Sequence, residues 1–284
     1  MPKNFSLFLA MRYLKPKRTF LSIITLISIL GVTLGIMVLI LVISVMTGFE
    51  QELRRKVIGF DPHVVVTSGG VLEDWENTAA SVKKDPDVVA VAPFVLGPVI
   101  AQYGNRRLAP KIRGVDPEQE RGVVDITPFI IEGEYDLEGS KTIVGSELAR
   151  ELGVTVGETL TIFSPGNFQE ILSEIERLEK TGGKPEDIAS LKQLILPTEL
   201  EVTGIFESGR YLYDSEFLIV PLHIGQELYN LGPAAHGLAV KTKDPYLADK
   251  VRNDLNSRLD SPAYSMSWMD MNKQIFDAIR MERQ

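Results

Sequence analysis

The sequence predicts an α+β globular module carried on one N-terminal transmembrane α-helix. Three observations predict it. An apolar run with no charged residue occupies 20–49. Strand-like and helix-like patterns alternate over 61–267. The order strand, helix, strand recurs at the two ends of that module around a strand-rich middle, which is the pattern of a split βαβ subdomain with a β-rich insertion.

The first element is the apolar helix. The stretch FLSIITLISILGVTLGIMVLILVISVM would reach roughly 40 Å at helical rise, more than the roughly 30 Å of a hydrocarbon core. A cleaved signal peptide would have a shorter apolar region and small residues at its end, whereas here Ile43, Ser44, Val45 and Met46 lead into Thr47, Gly48 and Phe49. Ser28, Gly31 and Gly35 form a small-residue face containing G-x-x-x-G, which permits close approach of a second membrane helix.

The flanks orient it. Lys3, Arg12, Lys15, Lys17 and Arg18 precede the span, while Arg54, Arg55 and Lys56 follow it beside Glu50 and Glu52. The bias places the N-terminus in the cytoplasm. Residues 1–60 hold 8 of the 30 Lys and Arg and 2 of the 38 Asp and Glu, leaving 22 against 36 beyond them. The basic end suits anionic membrane lipid, and the acidic remainder argues against nucleic acid as a partner. With no Cys the outer part needs no disulfide. Phe5, Phe8, Leu9 and Tyr13 recur at helical spacing, so 1–19 reads as an amphipathic cytoplasmic segment. Beyond the span, Glu50 with Arg54 and Glu52 with Lys56 stand four apart in the favourable order, extending the helix over 20–60 as a stalk that ends at Gly59 and Pro62.

Within 61–267, strands are expected in HVVVT, VVAVAPFVLGPVIAQY, LAPKIRGV, KTIVG, ETLTIF, LEVTGIF, EFLIVPL and GLAVKT. Helices are expected over 74–84, 146–152, 222–231 and 246–259, with Asp85-Pro86 stopping the first and Gly153 ending the second. The α/β subdomain takes 61–115 and 216–267, and the β-rich subdomain takes 116–215. A helical hairpin over 164–198 interrupts the latter: Phe168, Ile171, Leu172, Ile175 and Leu178 follow helical spacing before Gly182-Gly183, and Pro185 starts a second stretch. It is a candidate arm for docking a partner, or a stripe packed on its own domain.

Chemistry-bearing motifs are sparse. His63, His223 and His236 are scattered, there is no H-E-x-x-H, and without Cys no thiolate cluster exists, so neither a metal nor a cofactor is expected. Gly182-Gly183-Lys184 resembles the end of a phosphate loop, yet Leu178 stands where its leading Gly belongs and Pro185 where Ser or Thr must reach magnesium. No G-x-S-x-G elbow occurs. The loop 207–214 concentrates polar and aromatic groups, and reads either as a hairpin connection in which Arg210 pairs with an Asp or Glu or as a ligand site. No enzymatic activity is expected.

Read together, GVTLGIMVLILVISVMTGFEQEL, the Gly114-Val115-Asp116-Pro117 turn, IVGSELARELGVTVGETLTI, VTGIFESG and WMDMNKQIFDAIRMERQ resemble the permease subunits of the lipoprotein-releasing ABC transporter, the LolC/LolE family within the wider MacB-like group. The resemblance implies a MacB-like periplasmic core on the first of several membrane helices, in the bacterial inner membrane. It implies an ABC ATPase dimer that hydrolyses ATP on a separate subunit, a second permease subunit, an acylated lipoprotein substrate and a periplasmic lipoprotein carrier. The first helix would line a cavity for acyl chains, and the stalk would couple closure to the outer domain. The family's carrier hook maps to 164–198, here longer and helical, with Glu199 and Glu201 at its foot where the family's capture subunit is basic. Residues 268–284 would lead into a second membrane helix, which the resemblance places just beyond Gln284. Two other readings fit the same residues: a MacB-like exporter of other amphiphiles, and a single-span receptor or sensor with an extracytoplasmic binding domain.

Overall fold

A computed structural model describes residues 5–14, 20–164 and 197–273, with side chains over 8–10, 12–13, 23–48, 61–164 and 197–273. The chain forms two compact units, residues 1–55 and 56–284.

The first unit contains α1 (Phe5–Leu14) and most of α2 (Phe20–Phe60), one uninterrupted helix of 41 residues. Within α2, Ile23–Gly48 has a mean hydropathy of 3.0 and none of it is covered by protein. An apolar surface on every side of a helix matches hydrocarbon rather than water. Thr33 returns its hydroxyl to the carbonyl of Ile29 at 2.8 Å, so its polar group is satisfied inside the helix.

The second unit is one mixed sheet covered on both faces. After β1 (Val64–Leu72) come α3 (Trp75–Val82), β2 (Val88–Pro98), β3 (Ile100–Tyr103), β4 (Arg106–Leu108), β5 (Lys111–Val115) and α4 (Pro117–Val123). Then follow β6 (Ile130–Gly133), β7 (Lys141–Gly145), α5 (Ser146–Leu152), β8 (Thr159–Phe163), β9 (Thr198–Phe206), α6 (Tyr211–Glu216), β10 (Phe217–Pro221) and α7 (Leu222–Leu228). The described residues end with β11 (Ala235–Thr242), α8 (Ala248–Asn256), β12 (Tyr264–Ser267) and α9 (Trp268–Met271). The strand order is β12-β1-β11-β2-β5-β10-β7-β9-β8-β3-β4, with β6 added beside β9. Among the described residues, only β5 with β10 and β7 with β9 run parallel.

Period-two alternation decides which face each residue joins. Val64 and Val66 enter a core with Leu238, Val240, Val251 and Leu255, under α3 and α8. Val65 turns to the opposite face, with Ala92, Phe94, Ile143 and Ile219. On β10, Leu218 and Val220 join a third core under α5 and α7, with Ile112, Val144, Leu148 and Leu160.

Local chemistry sets the element ends. Asp74 caps α3, and Asp116 accepts from the N–H groups of Glu118 and Gln119 with Pro117 at the first position of α4. Gly153 ends α5 in the left-handed region at φ 74°, as its place after the apolar run predicts. The run expected as one strand over 88–103 breaks at Val99, whose N–H is taken by Pro110, giving β2 and β3. The hairpin expected over 164–198, with Phe168, Ile171, Leu172, Ile175 and Leu178, lies outside the described residues but for its two ends.

Candidate functional site at the root of the long helix

Immediately after α2, residues 61–63 are seated in the second unit by three separate contacts. Asp61, 8% exposed, accepts from Arg210 Nη1 at 2.6 Å and from the Tyr213 hydroxyl. Arg210 lies over the Tyr213 ring at 4.5 Å, and that ring stacks on Phe217 at 4.7 Å. The loop therefore carries an Arg paired to an Asp, and that Asp stands 149 residues earlier in the chain. Inside the loop, Asp214 accepts from the Ser208 N–H and hydroxyl, both at 2.7 Å, which fixes the turn that presents Arg210.

Behind Asp61 stands a second ion pair. Arg113 on β5 gives Nε and Nη2 to Glu120 Oε1 on α4, at 3.1 and 2.8 Å, with side chains 15% and 4% exposed. Burial opposes the charge on Arg113, and Glu120 more than offsets it, so its pKa lies above the ordinary value. Burial, then the charge of Glu120, pushes Tyr135 up to about 12; burial, then the charge of Asp61, also raises Tyr213 above its ordinary value. Both phenols stay protonated as donors. Asp61, Arg113, Glu120, Tyr135 and Tyr213 share the wall of a cavity of about 20 Å³.

His63 makes the second seat. Its Nδ1 accepts from the Thr242 N–H at 3.1 Å, and the Thr242 hydroxyl donates to the Asp244 carbonyl at 2.8 Å. Burial, then the charge of Lys241, lowers its pKa below the ordinary 6.5, keeping the ring neutral.

The third seat joins both exits of the domain. The His63 carbonyl accepts the Trp268 N–H at 2.9 Å, and Val64 pairs with Ser267 at the antiparallel end of β1 and β12. The chain thus enters the sheet and leaves it side by side. Trp268 is 1% exposed and donates Nε1 to the Pro245 carbonyl at 2.8 Å. Ser267 and Asp270 form a capping box on α9, and Arg252 of α8 grips both oxygens of Asp270 at 2.9 and 2.7 Å. Burial opposes ionisation of Asp270, but the Ser267 and Arg252 bonds hold its carboxyl below its usual range.

The small-residue face of α2 has open surroundings: a Cβ added at Gly31 or Gly35 would meet nothing within 4 Å, and Ser28 is exposed. The arm residues Phe168, Ile171, Leu172, Ile175 and Leu178 lie outside the described residues. Sequence reasoning missed Asp61, Arg113 and Glu120, whose partners are separated by up to 152 residues. The usable signal was the Asp61-Pro62 break at the foot of the apolar helix.

Comparison with known proteins follows the same outline. The family model of the MacB-like periplasmic core domain matches residues 25–258. The lipoprotein-releasing system transmembrane protein LolC of Xylella fastidiosa strain Temecula1 is 28% identical over 98% of this chain and 64% of its own length. The LolE protein of Haemophilus influenzae is 25% identical over 99% of this chain and 65% of its own length. The periplasmic region of MacB from Actinobacillus actinomycetemcomitans aligns over 78% of this chain and 95% of that chain, with a TM-score of 0.47 at 13% identity. The chain thus spans about two thirds of the length of the curated relatives it matches. With its mixed α/β module behind one long apolar helix, the chain belongs to the MacB-like periplasmic core domain family and is a homologue of the LolC and LolE transmembrane proteins.

Proposed function

We propose that this chain is a non-catalytic permease subunit of an ABC transporter that releases lipoproteins from the bacterial inner membrane toward a periplasmic carrier for outer-membrane localisation. One observation carries the reading: similarity to a lipoprotein-releasing transmembrane protein covers 98% of the chain, through membrane helix and outer module alike. In this reading the N-terminus is cytoplasmic, as the basic residues before α2 require, and the second unit is periplasmic. An ABC ATPase dimer on a separate subunit drives the cycle, and a second permease subunit packs against Ser28, Gly31 and Gly35. The carrier docks on the arm bearing Phe168, Ile171, Leu172, Ile175 and Leu178.

The root seats give a physical route for coupling. Asp61, His63 and the β1–β12 pair tie both exits of the domain together, so motion of the stalk reaches the sheet and α9 as one displacement. In this reading 61–115 and 216–267 form the α/β subdomain, and 116–215 forms the β-rich subdomain that carries the arm and supplies Arg210 and Tyr213 to the seat of Asp61.

Depleting the chain from its native cells and fractionating the membranes tests the role. Retention of outer-membrane lipoproteins in the inner membrane is expected, whereas normal sorting with loss of resistance to an exported amphiphile would favour the MacB-like exporter reading. Because the chain has no Cys, single cysteines report topology. Those at Gly70 and Asn105 should react with a membrane-impermeant thiol reagent in intact spheroplasts, and one at Ser6 should not.

A further inference from the structure

We infer that the cavity behind the helix root is a binding site for one ordered water molecule that completes the charge network between Asp61 and Glu120. Glu120 is 3% exposed and its Oε1 takes both N–H groups offered by Arg113. Its Oε2 is buried and has no hydrogen-bond partner among the described residues. A buried charged acceptor left unmatched is costly, so native structures match such groups with protein or with water.

The cavity supplies what a water needs. Its volume of about 20 Å³ exceeds the roughly 10–15 Å³ one molecule requires. Its wall also holds Asp61, Tyr135 and Tyr213. The Tyr135 hydroxyl reaches the Pro117 carbonyl only at 3.5 Å, a long contact that leaves its proton free to turn inward. A water donating to Glu120 Oε2 and to the Asp61 carboxylate, and accepting from Tyr135, makes three hydrogen bonds. Charge decides against an ion. Two carboxylates, Asp61 and Glu120, already face two guanidinium groups, Arg210 and Arg113, so a neutral ligand leaves the site balanced.

This water would join α4 to the residue that follows α2. It deepens the proposal that the root transmits motion, since a bridging water can turn to a new acceptor while the sheet stays packed. The test does not depend on transport. Crystals of the full chain in a lipidic mesophase are grown with sodium and, separately, with rubidium as the sole monovalent cation. Density about 2.6–3.2 Å from Glu120 Oε2 and from a second polar group of the wall, with no rubidium anomalous signal, is the result expected. A rubidium peak there would make the site a cation site, and a direct Tyr135 to Glu120 bond across a collapsed cavity would abolish it; either overturns the inference.

Discussion

Changing Asp61 to Asn removes the negative charge at the root of the long helix while keeping the side chain's size. Asp61 is 8% exposed, and its two partners are the Arg210 guanidinium at 2.6 Å and the Tyr213 hydroxyl. Hydrogen bonds to charged groups contribute about 1.5–3 kcal/mol each, and removing one partner of a buried pair costs about 3–5 kcal/mol. Arg210 keeps a 20% exposed side chain, so water screens part of the loss. The expected cost is about 3 kcal/mol, or a fall of about 6–12 °C in Tm for a domain of this size. Lys111 with Glu216 is the internal control, because its side chains are 48% and 41% exposed. Glu216→Gln should cost less than about 1 kcal/mol. Unfolding of the chain in nanodiscs, followed by the fluorescence of Trp75 and Trp268, reads both changes. A double-mutant cycle with Arg210→Gln isolates the pair, and its coupling should be at least about 1.5 kcal/mol. A coupling below about 0.5 kcal/mol would show that charge does not hold the root.

The depressed pKa of His63 makes the seat sensitive to acid: the neutral ring's contribution is complete above its ordinary 6.5 and is lost as pH falls from there through the lower folded value. Unfolding midpoints at about pH 7.5 and about pH 5 should therefore lie further apart in the native chain than in His63→Gln, and equal separations would contradict this. Gly145→Ala places a Cβ 2.3 Å from the Asp214 carbonyl oxygen, and denaturant titration should show a loss of about 2 kcal/mol or more from the overpacking. Gly31→Leu and Gly35→Leu should leave the stability of the isolated chain unchanged, since nothing stands within 4 Å of either position. In the assembled membrane complex the same changes should reduce co-purification of a partner permease, and undiminished recovery would remove this face from the interface.

How much of this was legible depended on how far apart the partners lie. Continuous apolar runs along 64–66 and 218–220 marked β1 and β10 as strands buried on both faces, with successive residues entering opposite cores. Gly153 marked the end of α5 through a purely local requirement for positive φ. The short strands were harder. β6, exposed at all but its first residue, and β12, with the sequence Tyr-Ser-Met-Ser, lack an apolar alternation, and pairing with β9 and β1 creates them. α4 was visible only as a Gly-Val-Asp-Pro turn, although Asp116 caps it and Pro117 starts it. At the root, Arg210 and Tyr213 stood out within their loop, but the choice of Asp61 over nearby Asp214 is tertiary. Asp214 is already engaged by Ser208, which leaves Arg210 for the helix root.

A photocrosslinking amino acid at Leu34 or Leu41, both exposed on the apolar helix, tests the proposed release function most directly in living cells, because the family resemblance implies that acyl chains lie along α2. An adduct with an acylated lipoprotein is expected, together with its disappearance when the lipoprotein's acylated cysteine is replaced by serine. Equal adducts with acylated and unacylated forms, or none at either position, would contradict the account.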